Sequence, residues 1–102
     1  MPEKNWSDIL SEHSPELAEL IQEDGRFMAE DTALPAWIKY LMAMQMDAIF
    51  NKPAGVRAYA QRARDLGASK TQVVEAIQMV RMFAGRPAMV TAAEALRDEP
   101  QS

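Results

Sequence analysis

The stretch that decides the fold is residues 34–50, LPAWIKYLMAMQMDAIF. Wound as a helix, its Trp37, Ile38, Leu41, Met42, Met44, Ala48 and Ile49 occupy most of the circumference, and Lys39, Gln45 and Asp47 are the strongly polar interruptions. A helix that is apolar on nearly every side is normally buried by its neighbours. The reading is a central helix around which the other segments pack, each with one apolar face.

Toward the N-terminus, Asn5 or Ser7 can cap a short helix running through Leu10, with Trp6, Ile9 and Leu10 on one side. Ser14-Pro15 reads as a restart, because Ser is a good N-cap and Pro suits the first helical position. Leu17, Leu20 and Ile21 then recur at helical spacing, and the helix is expected to end near Gly25, leaving Phe27 and Met28 in a connecting segment.

Toward the C-terminus, Pro53 closes the central helix and opens the next. There Val56, Tyr59, Ala60, Ala63 and Leu66 make a single apolar stripe, and Gly67 is a plausible stop. Ser69-Lys70-Thr71-Gln72 has the form of a capping box. Val73, Ala76, Ile77, Val80 and Ala84 give the following stripe, which Val74, Met79, Met82 and Phe83 broaden beyond one face. Gly85-Arg86-Pro87 punctuates the chain before a last helix through Leu96. No segment reads better as a strand, so the fold class is all-α, a compact bundle of five or six helices. Residues 1–33 read as an N-terminal helical arm, 34–97 as the helical core and 98–102 as a polar tail that frays.

Composition narrows the function classes. The 102 residues contain no cysteine, which removes disulfides, thiolate ligands and thiol nucleophiles. Residues 1–50 hold ten acidic side chains against three basic ones, and residues 51–102 hold five against eight, together giving the net −4. An acidic chain disfavours nucleic-acid binding, which needs a basic surface. The acidic N-terminal half can lie against the basic half of its own or a neighbouring subunit, or both can be solvated faces. Lys39 and Asp47 argue against a membrane span, and with no secretory leader the expected location is the cytoplasm.

Several motifs occur in a telling order: Leu34-Pro35 with Lys39 near the start of the hydrophobic helix, then Arg62-Ala63-Arg64-Asp65-Leu66-Gly67-Ala68-Ser69, the helix Thr71 to Ala84, and Gly85-Arg86-Pro87-Ala88. In these motifs the sequence resembles the carboxymuconolactone decarboxylase and alkylhydroperoxidase D-like family of small all-α proteins, over residues 34–97. The redox branch of that family carries Cys-x-x-Cys and a His, which would fall at Lys52, Gly55 and Tyr59 of this chain, and all three are absent. The decarboxylase-like branch is closer at Asn51 and Arg57, but Pro53 and Gly55 stand where its carboxylates are expected and Tyr59 replaces its His. The resemblance implies a symmetric homo-oligomer, a trimer or hexamer. The broad apolar surfaces of 34–50 and 73–84 point the same way.

The candidate catalytic residues are therefore Arg57, to hold a substrate carboxylate, and Tyr59, to donate a hydrogen bond or exchange a proton. The bland alternative is a surface cation and a half-buried aromatic. Arg81 and Arg86 are candidate ligand-binding residues, forming an anion pocket with Arg57 or Tyr59; the alternative is a salt bridge to Asp47 or the acidic arm. Any small-molecule site is expected between the central helix and the helix bearing Arg57 and Tyr59. His13 reads as an exposed polar residue, and no metal set or cofactor motif is present. The function expected is a family member without thiol redox activity that binds or acts on a small carboxylate-bearing molecule, with a catalytically silent oligomerisation or binding module as the alternative.

Overall fold

The computed structural model describes residues 3–100. Among them are α1 (Trp6–His13), α2 (Pro15–Ala29), α3 (Ala36–Ile49), α4 (Pro53–Asp65), α5 (Lys70–Ala92) and a closing 3-10 turn at Ala93–Leu96, with no strand. The chain divides into two compact units, one ending at Glu30 and the other beginning at Asp31. No described helix is long and apolar enough to cross a membrane.

The first unit is a helical hairpin. Asn5 Oδ1 accepts from the Asp8 amide at 2.9 Å and starts α1. Ser14 ends one helix and begins the other: its amide donates to the Leu10 carbonyl at 3.0 Å, and its Oγ accepts from the Leu17 amide at 3.2 Å. Both helices run further than the sequence suggests, α1 to His13 and α2 through Gly25 to Ala29. Leu20 with Phe27 and Ile21 with Met28 are each seven residues apart, so the helical pattern continues across the glycine and outweighs its propensity cost of ~1 kcal/mol. Neither helix contains a buried residue.

The second unit holds the core. Pro35 at the N-cap of α3 offers no side-chain acceptor, and Asp31 Oδ1 takes that role by accepting from the Ala36 amide at 2.8 Å. Met44 of α3, Val56 of α4 and Val73 of α5 are the largest fully buried side chains, surrounded by Ala48, Ala60, Ala63, Ala92 and Ala95. Small residues at these positions let the helix axes approach closely. The capping box of α5 is present, with Ser69 Oγ accepting from the Gln72 amide at 3.1 Å and Gln72 Oε1 accepting from the Ser69 amide at 2.8 Å. Leu66 falls just past the end of α4 and is half exposed, so the stripe of that helix stops at Ala63.

The expectation of a fully buried central helix is corrected. One side of α3 packs on α4 and α5, burying Tyr40, Leu41, Met44 and Ala48, but Met46 is 52% and Ile49 is 50% exposed. On α5, Met82 and Phe83 are 69% and 78% exposed. Within this unit two helices flank α3, and two neighbours cannot enclose a helix that is apolar all round.

The helix α5 is interrupted at Gly85, whose φ of 84° and ψ of −175° lie outside helical space. That break lets Pro87 open the final segment, whose Ala88, Thr91 and Ala92 are buried. Only glycine occupies this backbone region without strain, and other residues cost about 1–3 kcal/mol there. Gly85→Ala is expected to lower unfolding stability by about that amount, read from the urea midpoint. An unchanged midpoint would show that the break tolerates a β-carbon.

Candidate functional site

The segment from the end of α3 into α4 carries the residues singled out for chemistry. Asn51 adopts a left-handed φ of 58°, a conformation Asn tolerates better than most residues. Its Oδ1 accepts from Thr91 Oγ1 at 2.8 Å, tying the exit of α3 to the buried Thr91 of α5. Lys52 is exposed, and its amide donates to the Asp47 carbonyl at 2.8 Å. It caps α4 without a side-chain bond. The Asp47 carboxylate instead lies against the first turn of α4, where the helix dipole favours a negative charge. A β-carbon on Gly55 would sit 1.9 Å from Asp47 Oδ2. The position corresponding to a second thiol therefore has no room for one while Asp47 stays in place.

Arg57 and Tyr59 lie two residues apart on α4 and face different ways. Arg57 makes a bidentate pair with Asp98, Nε to Oδ2 and Nη2 to Oδ1, both at 2.8 Å. This hydrogen bonding, reinforced by the opposite charges, holds the Asp98 carboxyl below its ordinary range and raises the Arg57 guanidinium further. Asp98 thus occupies the arginine fork that a ligand carboxylate would need. Arg64, nearby on the same helix, donates to the Ala95 carbonyl at 2.7 Å and lies 3.6 Å from Glu99. Lys70 Nζ donates to the Pro100 carbonyl at 3.0 Å. Residues 98–100 are therefore held against the helices rather than frayed, while 101 and 102 lie outside the described residues.

Tyr59 is half-buried and stacks on Tyr40 of α3, with ring centroids 6.1 Å apart and planes at 24°. The Arg62 guanidinium lies 5.8 Å from both ring centroids. The arrangement is a stacked pair under a cation, which contributes cohesion between α3 and α4.

Arg81 and Arg86 are exposed on α5, and among the described residues neither makes an ion pair. Arg81 points to water, so it needs no buried counterion. None of Arg57, Tyr59, Arg81 and Arg86 lines the depressions between α3 and α5. His13 is exposed at the end of α1, and no described cluster of acidic and histidine side chains is arranged to hold a metal ion.

An apolar concavity of the second unit lies between α3 and α5. Two adjoining depressions, of about 190 and 260 Å³, share Met42, Gln45 and Met79 and form one shallow trough between α3 and α5. Trp37 and Glu75 line one end, Ile49 and Phe83 the other. The sequence signal for it was the overflow of apolar residues beyond a single face: three alternating methionines on α3, and Met79, Met82 and Phe83 on α5.

The model of the carboxymuconolactone decarboxylase family matches residues 15–98. Among solved structures, a carboxymuconolactone decarboxylase family protein from Legionella pneumophila, apo-lpg0406, is 26% identical with a TM-score of 0.69; the match covers 88% of this chain and 83% of that one. No curated protein matches the sequence.

The Arg57–Asp98 pair sets a pH expectation. Because the folded Asp98 pKa is depressed, its contribution to stability is complete above the ordinary value of 3.8 and is lost as pH falls through the folded value below it. Asp98→Asn is expected to destabilise the protein at pH 7 and to narrow the gap in urea midpoint between pH 7 and pH 3. A gap as wide as in the unaltered protein would remove the pair from the account.

Proposed function

This chain belongs to the carboxymuconolactone decarboxylase family, and from that premise we propose that it is a member without thiol redox chemistry whose working surface is the α3–α5 trough, used to assemble copies of itself. The absence of cysteine removes the thiol route by chemistry alone. The observation that carries the assembly reading is the apolar face itself, with Met46, Met79, Met82 and Phe83 all more than half exposed on two adjoining helices. Contiguous apolar surface of this kind is characteristic of interfaces. Both depressions are shallow and open to solvent, which suits the side of a helix better than a small ligand.

Charge placement favours a second copy as the occupant. Glu75, Met79, Met82 and Phe83 follow one stripe of α5, and Arg86 comes just past the Gly85 break. A two-fold related copy, laid antiparallel, brings the Glu75 of each chain toward the Arg86 end of the other. Such a two-fold contact is one of those from which a hexamer is built.

A small carboxylate as substrate or ligand is the weaker reading. Arg57 already holds Asp98, and Tyr59 is engaged with Tyr40 and Arg62.

The expected sedimentation mass is several times 11.4 kDa. Phe83→Glu, which places a charge on a side chain outside the core, should give a folded chain of reduced mass. Retention of the larger mass would rule out this face. Peroxide consumption with a dithiol donor is expected at background in either state, and clear turnover would overturn the non-thiol reading.

A further inference from the structure

The trough is unusually rich in one oxidisable group. The chain has eight methionines. Met42, Met46 and Met79 line the trough. Met82, one turn on from Met79, is 69% exposed, whereas Met44 on the opposite side of α3 is fully buried. We propose that Met42, Met46, Met79 and Met82 form a peroxide-oxidisable patch whose conversion to sulfoxide dissolves the self-contact made through the trough. The inference rests on the assembly reading above.

The chemistry needs only a peroxide from solution. The thioether sulfur attacks one peroxide oxygen, an S–O bond forms as the O–O bond breaks, and proton transfer to the departing oxygen releases water. The sulfur is oxidised by two electrons and the peroxide is reduced by two. A thioether has no proton to lose near neutral pH, so solvent access governs which methionines react. On α3, Met42 and Met46 are open to solvent where Met44 is fully buried.

The product changes what the surface can do. A sulfoxide replaces a soft apolar contact by a strong acceptor, and an acceptor carried into an apolar interface without a donor is costly. Near Met46 the one donor side chain lining the trough is Gln45, which already donates its Nε2 to the Ala76 carbonyl at 3.1 Å, while Trp37 and Gln72 line only the other end. One buried, unpaired sulfoxide is expected to weaken association about tenfold or more. Assembly and oxidation then compete for the same face. The peroxide reacts with the free protomer, and the oxidised protomer no longer re-enters the assembly.

The test treats the whole chain with hydrogen peroxide at low and high protein concentration, locates sulfoxides by peptide mass, and measures sedimentation mass before and after. Expected are faster oxidation of Met42, Met46, Met79 and Met82 than of Met44, protection at high concentration, and a fall in sedimentation mass that a methionine sulfoxide reductase reverses. A variant with Met42, Met46, Met79 and Met82 all replaced by Leu, which keeps the volume and apolarity, should stay assembled through the same treatment. An oligomer whose mass survives sulfoxide formation at the trough overturns this inference and leaves the assembly reading standing. Dissociation of the four-leucine variant by peroxide also overturns it, since the lesion then lies elsewhere. Untreated protein that is monomeric at every concentration defeats both.

Discussion

Helix α3 is apolar around nearly its whole circumference, while the unit that contains it supplies α4 and α5 to cover it. Most other features of this unit follow from that mismatch. The covered side is closed by small residues, with Ala48, Ala60, Ala63 and Ala92 letting helices approach around Met44, Val56 and Val73. The uncovered side continues onto α5 as an apolar trough. Burying one large apolar side chain is worth roughly 1.5–3 kcal/mol, so several left half in water represent a substantial unrealised driving force. That driving force is the physical basis for placing the working surface on this side.

The end of α3 and the start of α4 hold the helices together through their side chains. Asp47 fills the space a residue larger than Gly55 would need and supplies the negative charge that the start of α4 favours. Asn51 spends its side chain on Thr91. Tyr59 stacks on Tyr40, and Arg57 is bound by the C-terminal segment through Asp98. Asp47, Asn51, Arg57 and Tyr59 thus each have a structural role. At Gly55 the constraint is therefore more than a missing sulfur, since Asp47 lies where a side chain would go.

Much of the fold was legible because local signals agreed with the tertiary packing. The Ser69–Gln72 capping box, Pro53 at the start of α4 and the Val56, Ala60, Ala63 stripe all lie where their spacing puts them. Gly25 misled because propensity is a weak signal, and the apolar spacing that carries α2 through it is the stronger one. Arg81 misled for a different reason. It sits in an apolar run, but Met79, Met82 and Phe83 of that run are themselves exposed and only Val80 beside it is buried, which depends on how many helices flank α5 and α3. The partners of Arg57 and Tyr59 were not legible either. Asp98 lies 41 residues along the chain from Arg57, and no pattern in the sequence pairs them.

The central claim is that the trough is self-complementary, with Glu75 toward one end and Arg86 beyond the other. A charge-exchange pair tests it most directly. Glu75→Arg leaves a copy basic at both ends and Arg86→Glu leaves one acidic at both ends, so each variant alone should sediment at reduced mass. Mixing the two in equal amounts should restore the mass of the unaltered protein. If each variant alone keeps that mass, or if mixing restores nothing, antiparallel self-association through this face is contradicted.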